Sequence, residues 1–177
     1  PLSRDIPIVF TPLHGTANTT VGDVLREAGF PVIVEPSQQT PDGSFPTVPF
    51  KAPNPEHATA LQRAIETAEA NGAVVVMGCD PDADRLAVAL QDGDGRWVRL
   101  SGNQVGSLLA EELLAHGSAH PRRLVATTIV STILLKKIAD HHGAVCGETL
   151  TGFKWLANLA LAHDGPFVLG FEEALGY

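Results

Sequence analysis

Apolar and polar positions along the chain alternate between two periods. Ile6–Leu13 (IPIVFTPL) is a short apolar run rich in β-branched residues and predicts a strand. Asn18–Gly29 then has polar starters, helical spacing and a glycine stop, and predicts a helix. Pro31–Pro36 (PVIVEP) predicts a second strand. Ser37–Asn54 is rich in Pro, Gly, Ser and Thr and reads as a long loop. From Asn54 to Gly72 the pattern predicts a helix with Asn54 as N-cap, Pro55 at its first position, Glu56 in the first turn and Gly72 as its stop. Ala58, Leu61, Ile65 and Ala68 would form its buried face.

Ala73–Cys79 (AVVVMGC) is continuously apolar, as in a strand covered on both faces. Arg85–Gln91 and Trp97–Leu100 flank Asp92–Gly95 (DGDG), which predicts a β-hairpin and accounts for Asp92 and Asp94 as turn residues. After Ser101–Asn103 the alternation restarts. Helix is predicted at 104–117, 131–143 and 151–165, and strand at 124–130, 144–150 and 166–172. This alternation is that of layered α/β structure. Two successive α/β domains are expected, residues 1–101 and 102–177. The second ends on a strand without a closing helix, so it is expected to continue beyond Tyr177.

Composition narrows the picture. The chain has 177 residues, 44% of them hydrophobic and 18% charged, enough to bury a core. A net charge of −8 argues against non-specific nucleic-acid binding, which needs a basic patch. No run of 18 apolar residues appears, so no membrane span is expected. Pro1 has no basic segment and apolar core behind it, so no signal peptide is visible, and a start at proline suggests an excised fragment. Cys79 and Cys146 lie in apolar runs and read as small buried hydrophobes, as in a reducing cytoplasm.

The chemistry concentrates in Cys79–Arg85 (CDPDADR). Two unit charges about 4 Å apart repel by roughly 4 kcal/mol at an effective dielectric near 20. Three crowded carboxylates therefore splay into water or surround a cation. Asp80, Asp82 and Asp84 alternate, a spacing that puts all three on one side of extended backbone, and Pro81 stiffens the loop. Carboxylates from one loop suit a hard dication, Mg²⁺ foremost. Arg85 keeps its charge and can fork onto a phosphate. A calcium-binding EF-hand would need Gly at loop position 6 and Glu at position 12, where Arg85 and Gln91 stand. An aspartyl phosphotransferase of the haloacid-dehalogenase kind would carry Thr or Val in place of Asp84.

At GCDPDADRLAVAL the sequence resembles the metal-binding loop of the α-D-phosphohexomutase superfamily. Val9–Ala17 (VFTPLHGTA) is similar to the opening of that family's second domain, Glu148–Leu159 (ETLTGFKWLANL) to a segment of its third, and Gly170–Tyr177 (GFEEALGY) to the sugar-recognition loop of the third. The resemblance implies a piece of a phosphosugar mutase covering domains 2 and 3. It implies Mg²⁺ on Asp80, Asp82 and Asp84, with a fourth ligand from a phosphoserine in domain 1 and Arg85 as a catalytic residue orienting that phosphate. It also implies a bisphosphate intermediate with a glucose 1,6-bisphosphate-type activator, and a phosphosugar substrate contacted by Glu172, Ala174, Thr151, Gly152 and Lys154. Ala174 stands where many relatives carry serine, and the branch resembled includes phosphopentomutases, so the sugar stays open between hexose and pentose phosphates.

Other readings stand beside these. Thr151 could cap the following helix, Glu172–Glu173 could be a solvated strand end, and Trp155 reads as core. His14 reads as a structural loop residue or an active-site lining residue, and His141–His142 as a complement to a helix end. No Ser-His dipeptide and no Arg-Pro-Ser-Gly-Thr-type loop occur, so the nucleophile and phosphate clamp of domains 1 and 4 are missing, and the chain alone is expected to be inactive. A non-catalytic α/β module that kept the loop for metal binding is the alternative.

Overall fold

The structure is a computed structural model that describes residues 4–57 and 59–177. It contains two compact units, Pro1–Leu100 and Ser101–Tyr177.

In the first unit, β1 (Ile8–Thr11), β2 (Val32–Val34), β3 (Val75–Cys79), β4 (Leu86–Gln91) and β5 (Trp97–Arg99) form one sheet in the order β2-β1-β3-β4-β5. The first three strands are parallel, and β4 and β5 join antiparallel. β1 lies between two neighbours and all four of its residues are buried, which is why its sequence is an uninterrupted apolar run. Alternate residues face opposite layers. Phe10 and Cys79 pack with Ala17, Val21 and Leu25 around α1 (Val21–Glu27). On the other face, a Cβ added to Gly78 would lie 2.5 Å from Leu61, just ahead of α2 (Gln62–Asn71), so glycine is what lets that segment approach.

The hairpin forms as predicted. Asp92 accepts from the amides of Asp94 and Arg96, each at 2.9 Å, and Gly95 takes φ 78°. α2 differs from expectation. It ends at Gly72 with φ 66°, the left-handed stop the sequence signalled, but it starts at Gln62, not after Asn54. Residues 55–56 and 59–61 run as turns, with a bend at 57. Asn54 Oδ1 accepts from the Glu56 amide at 3.0 Å, the bond a cap makes, and from Arg85 Nη1 at 3.0 Å, but the turn it opens is not continued into helix. Ala58, assigned to the helix face, lies outside the described residues.

The second unit has three parallel strands, β6 (Leu124–Thr128), β7 (Val145–Thr149) and β8 (Phe167–Phe171), in the order β7-β6-β8. α3 (Gly102–His116) and α4 (Leu134–His141) cover one face, where Ala110, Leu114, Val125, Leu135, Ala139 and Phe171 form the core. α5 (Phe153–Ala162) covers the other, with Leu159 against Gly147 and Leu156 against Gly170. Ser101 opens α3 with a capping box: its hydroxyl accepts from the Gln104 amide, and the Gln104 side chain accepts from the Ser101 amide at 2.8 Å. The buried Arg123 guanidinium donates to Leu114 O at 2.7 Å and His142 O at 3.1 Å, a cation set against the carboxyl ends of α3 and α4.

Candidate functional site

The aspartate loop links the carboxyl end of β3 to β4. Asp80, Asp82 and Asp84 each bring one carboxylate oxygen within 4.8 Å of the others. The convergence does not come from an extended strand. Ala83 N donates to Asp80 O at 3.0 Å and Ala83 takes φ 64°, so the loop is a tight turn with a left-handed residue inside it. Extended backbone would have placed successive carboxylates two residues apart along a line. The turn folds them onto a common point.

Asp80 is 2% exposed, whereas Asp84 has a side chain 73% exposed. Arg85 holds the buried member. Its backbone N–H donates to Asp80 Oδ1 at 3.1 Å and its Nε to Oδ2 at 2.7 Å. Burial works against ionisation of Asp80, but these hydrogen bonds and the guanidinium charge outweigh it and hold the carboxyl below its usual range. Asp84 moves the other way, raised by burial and by the neighbouring Asp80 charge. The Arg85 Nη1 donates to Asn54 Oδ1 at 3.0 Å and lies 3.7 Å from Glu56.

A second clamp comes from the turn after β1. A Cβ on Gly15 would sit 2.3 Å from Pro81 Cα, so backbone meets backbone there. The Pro81 carbonyl accepts from the Thr16 amide at 2.9 Å and its hydroxyl at 3.2 Å. Thr16, Ala52, Pro53, Asn54, Asp80, Pro81, Asp82 and Arg85 line a cleft of about 540 Å³. Gly15 and Thr16 were not singled out in the sequence as members of the site, nor was Asn54. Asn54 was assigned to a helix cap, and its contact with a residue 31 positions away has no local signature.

His14 is 6% exposed and bonds Thr40 O at 3.2 Å through Nδ1 and Thr47 Oγ1 at 2.8 Å through Nε2. It pins the long loop from inside, the structural reading, and is absent from the cleft lining. His142 meets Glu111 at 3.0 Å, and His141 packs edge-on against it.

In the second unit, Glu172 and Gly152 come together. The Gly152 amide donates to Glu172 Oε1 at 2.5 Å, and Gly152 holds φ 121°, a conformation that suits glycine. Gly152, not Thr151, is the N-cap of α5, and no side chain caps that turn; Thr151 is exposed. The capping reading of Thr151 is therefore corrected. Lys154 lies with Nζ 5.5 Å from the Trp155 ring centroid. Trp155 is 42% exposed, which corrects its assignment to the core: it sits in the first turn of α5, where Leu156 takes the inward position. Ala174 is half-buried in the loop, which Glu172 N closes by donating to Gly176 O at 2.9 Å. Glu173 turns to the opposite side. Its Oε2 accepts from Ser131 Oγ at 2.7 Å and Thr128 Oγ1 at 3.0 Å. Neither glutamate is a solvated strand end.

Residues 2–93 match the family described as phosphoglucomutase/phosphomannomutase, alpha/beta/alpha domain II, and residues 101–177 match its domain III. The chain belongs to the phosphoglucomutase/phosphomannomutase family. Among curated relatives, a probable phosphomannomutase of Haemophilus influenzae is 41% identical over 98% of this chain and 34% of its own length. A probable phosphoribomutase of Schizosaccharomyces pombe is 42% identical over 98% of this chain and 31% of its own length. The chain thus spans about a third of the length of the curated relatives it matches. Among solved structures, a phosphoglucomutase/phosphomannomutase family protein from Burkholderia thailandensis superposes with TM-score 0.80 at 23% identity, over 99% of this chain and 35% of that one. An Aspergillus fumigatus N-acetylphosphoglucosamine mutase, solved in complex with GlcNAc-6P and magnesium, gives TM-score 0.66 at 17% identity, over 97% of this chain and 33% of that one. Both superpositions show the fold of the family.

Proposed function

We propose that this chain is the metal-holding and sugar-reading part of a phosphosugar mutase that interconverts hexose 1-phosphate and 6-phosphate. The observation that carries the reading is the cluster of Asp80, Asp82 and Asp84 within 4.8 Å, braced by Arg85 and by the turn at Gly15–Thr16. One buried, pre-oriented carboxylate and two exposed ones make a hard oxygen donor set open to a further ligand, which fits Mg²⁺. Such a cation supplies neutralisation of phosphate charge when bound. Asp80, Asp82 and Asp84 hold it. Arg85 keeps Asp80 ionised and presents a partly exposed guanidinium to the cleft, where it orients a phosphate.

Glu172, fixed at one oxygen by Gly152, accepts from sugar hydroxyls, and a sugar lacking them leaves it unpaired. Thr151 and Lys154, close to Gly152 in sequence, and Ala174, two positions after Glu172, are the other proposed sugar contacts. The phosphoryl donor is a phosphoserine on a part of the longer protein outside this chain, and a sugar bisphosphate of the glucose 1,6-bisphosphate type is the intermediate and activator. A pentose phosphate substrate is the second reading, favoured by the 42% identity to a phosphoribomutase. The domain assignment 1–101 and 102–177 and a cytoplasmic location belong to the same proposal. No helix among the described residues is long and apolar enough to cross a membrane.

The test is kcat/KM of the full-length enzyme on glucose, mannose, glucosamine and ribose 1-phosphates. Turnover of one of these with Mg²⁺, and a fall in kcat of at least about 100-fold in Asp82→Asn, supports the reading. Turnover indifferent to Asp82→Asn and Asp84→Asn overturns it.

A further inference from the structure

Glu172 and Glu173 follow β8 side by side, and each side chain is held by a different segment. The loop from Glu172 to Gly176 leaves β8 with two glutamates whose side chains part. Glu172 reaches the amino end of α5 and Glu173 reaches the segment after β6. Thr128 and Ser131 both donate to the same oxygen of Glu173, their hydroxyls lie 2.8 Å from each other, and Ser131 N donates to Thr128 O at 3.0 Å. The segment that carries Ser131 is held in turn by α3, because Thr132 N donates to Asn103 Oδ1 at 3.1 Å. The Glu173 carbonyl is also closely packed: a Cβ on Gly102 would lie 2.2 Å from it. These contacts hold the Glu173 backbone and side chain from one side while Gly152 holds Glu172 from the other. The lever between them is a single peptide unit.

We infer that Glu173, through Ser131 and Thr128, is a positioning residue that sets the direction of the Glu172 carboxylate, and that this network determines how well the loop selects its sugar. The inference rests on the proposed role of Glu172 as the sugar contact. A carboxylate with two hydroxyl donors on one oxygen suits this task. Hydrogen bonds to a charged acceptor are stronger and shorter than neutral ones, so the geometry is held more tightly than an amide would hold it. The residues of the network belong to the second unit and the aspartate loop to the first, so its loss is expected to read out on sugar recognition.

The experiment is a double-mutant cycle in the full-length enzyme, with Glu173→Gln and Ser131→Ala each made alone and in a Glu172→Ala background. Ser131→Ala removes one hydroxyl from a half-buried turn and serves where Glu173→Gln fails to fold. The expected result is a KM for the sugar phosphate raised about tenfold by either variant, with kcat and the Mg²⁺ activation constant within about twofold. In the Glu172→Ala background the same changes add little. Equal effects in both backgrounds, or no change in KM where Glu172→Ala does raise it, overturn the positioning role while the mutase reading stands. An enzyme that turns over no phosphosugar, or in which Glu172→Ala leaves KM unchanged, overturns the reading of Glu172 and this inference with it.

Discussion

Asp80 and Arg85 show how one residue pair organises the aspartate loop. Asp80 is buried, and its two oxygens are met by the amide and the Nε of Arg85. Replacing Arg85 by methionine leaves that carboxylate buried without its cation and is expected to cost about 3 kcal/mol of stability, measured by urea denaturation. Lysine is not an adequate substitute, because a point charge cannot reach Asp80 and Asn54 together as the guanidinium does. Gly15→Ala tests the second clamp. Its Cβ would meet Pro81 Cα at 2.3 Å and Pro81 O at 2.5 Å, backbone atoms that yield only if the loop moves. A loss of about 1–3 kcal/mol is expected, with weakened Mg²⁺ activation of the full-length enzyme. At this scale the sequence exposed residue types but not their partners. Asp80, Asp82, Asp84 and Arg85 stand out because four charged groups in six positions need an explanation. The partners of Gly15, Thr16 and Asn54 do not stand out, because Pro81 and Arg85 lie far from them along the chain and no local pattern records the contact.

At the scale of elements, glycines and aspartates were readable wherever the interaction is local. The DGDG hairpin is an example. Asp92→Ala removes the carboxylate acceptor of two backbone amides and is expected to cost about 1 kcal/mol, whereas Asp94→Ala stays within about 0.5 kcal/mol, both measured by thermal unfolding. α2 starts later than its local signals suggest: Asn54 makes the capping bond to the Glu56 amide and also accepts from Arg85, yet regular helix begins only at Gln62. The loop after β8 carries a pH dependence of its own. Burial disfavours the Glu173 carboxylate, but hydrogen bonds from Ser131 and Thr128 outweigh it and hold the group below the ordinary range. A depressed folded value means that the ionised form contributes stability above the ordinary carboxylate range, and that this contribution is lost as pH falls through the depressed value. Urea midpoints of the 177-residue chain should therefore fall more steeply in acid than those of Glu173→Gln, and parallel profiles would contradict this.

For the whole molecule, the relevant fact is that relatives are about three times as long as this chain. Three carboxylates do not complete the shell of Mg²⁺, which prefers near-octahedral oxygen and takes substrate phosphate as part of it. The 177 residues with substrate and Mg²⁺ are accordingly expected to give no isomerisation, and calorimetry should show weak Mg²⁺ binding. Turnover by this chain alone would contradict the division of labour proposed for the longer protein. The family itself was legible from four short segments, because each combines unusual residues at fixed spacing. Which sugar phosphate the proposed mutase takes was not legible, since the proposed contact Glu172 fits several readings and position 174 is alanine.

The sequence by itself determined the order of strands and helices, the α/β class, the hairpin, the stop of α2 at Gly72 and the presence of an acidic loop between two strands. All of these depend on interactions between residues a few positions apart, which leave a periodic or compositional trace. Tertiary structure decided how the loop is used. It turned Ala83 into the left-handed region so that three carboxylates converge, joined Arg85 to Asn54 across 31 positions, set Glu172 on Gly152 across 20 and Glu173 on Ser131 across 42, and left Trp155 facing outward. A hydrogen bond between distant residues depends on where the fold brings their backbones, and no local pattern records that.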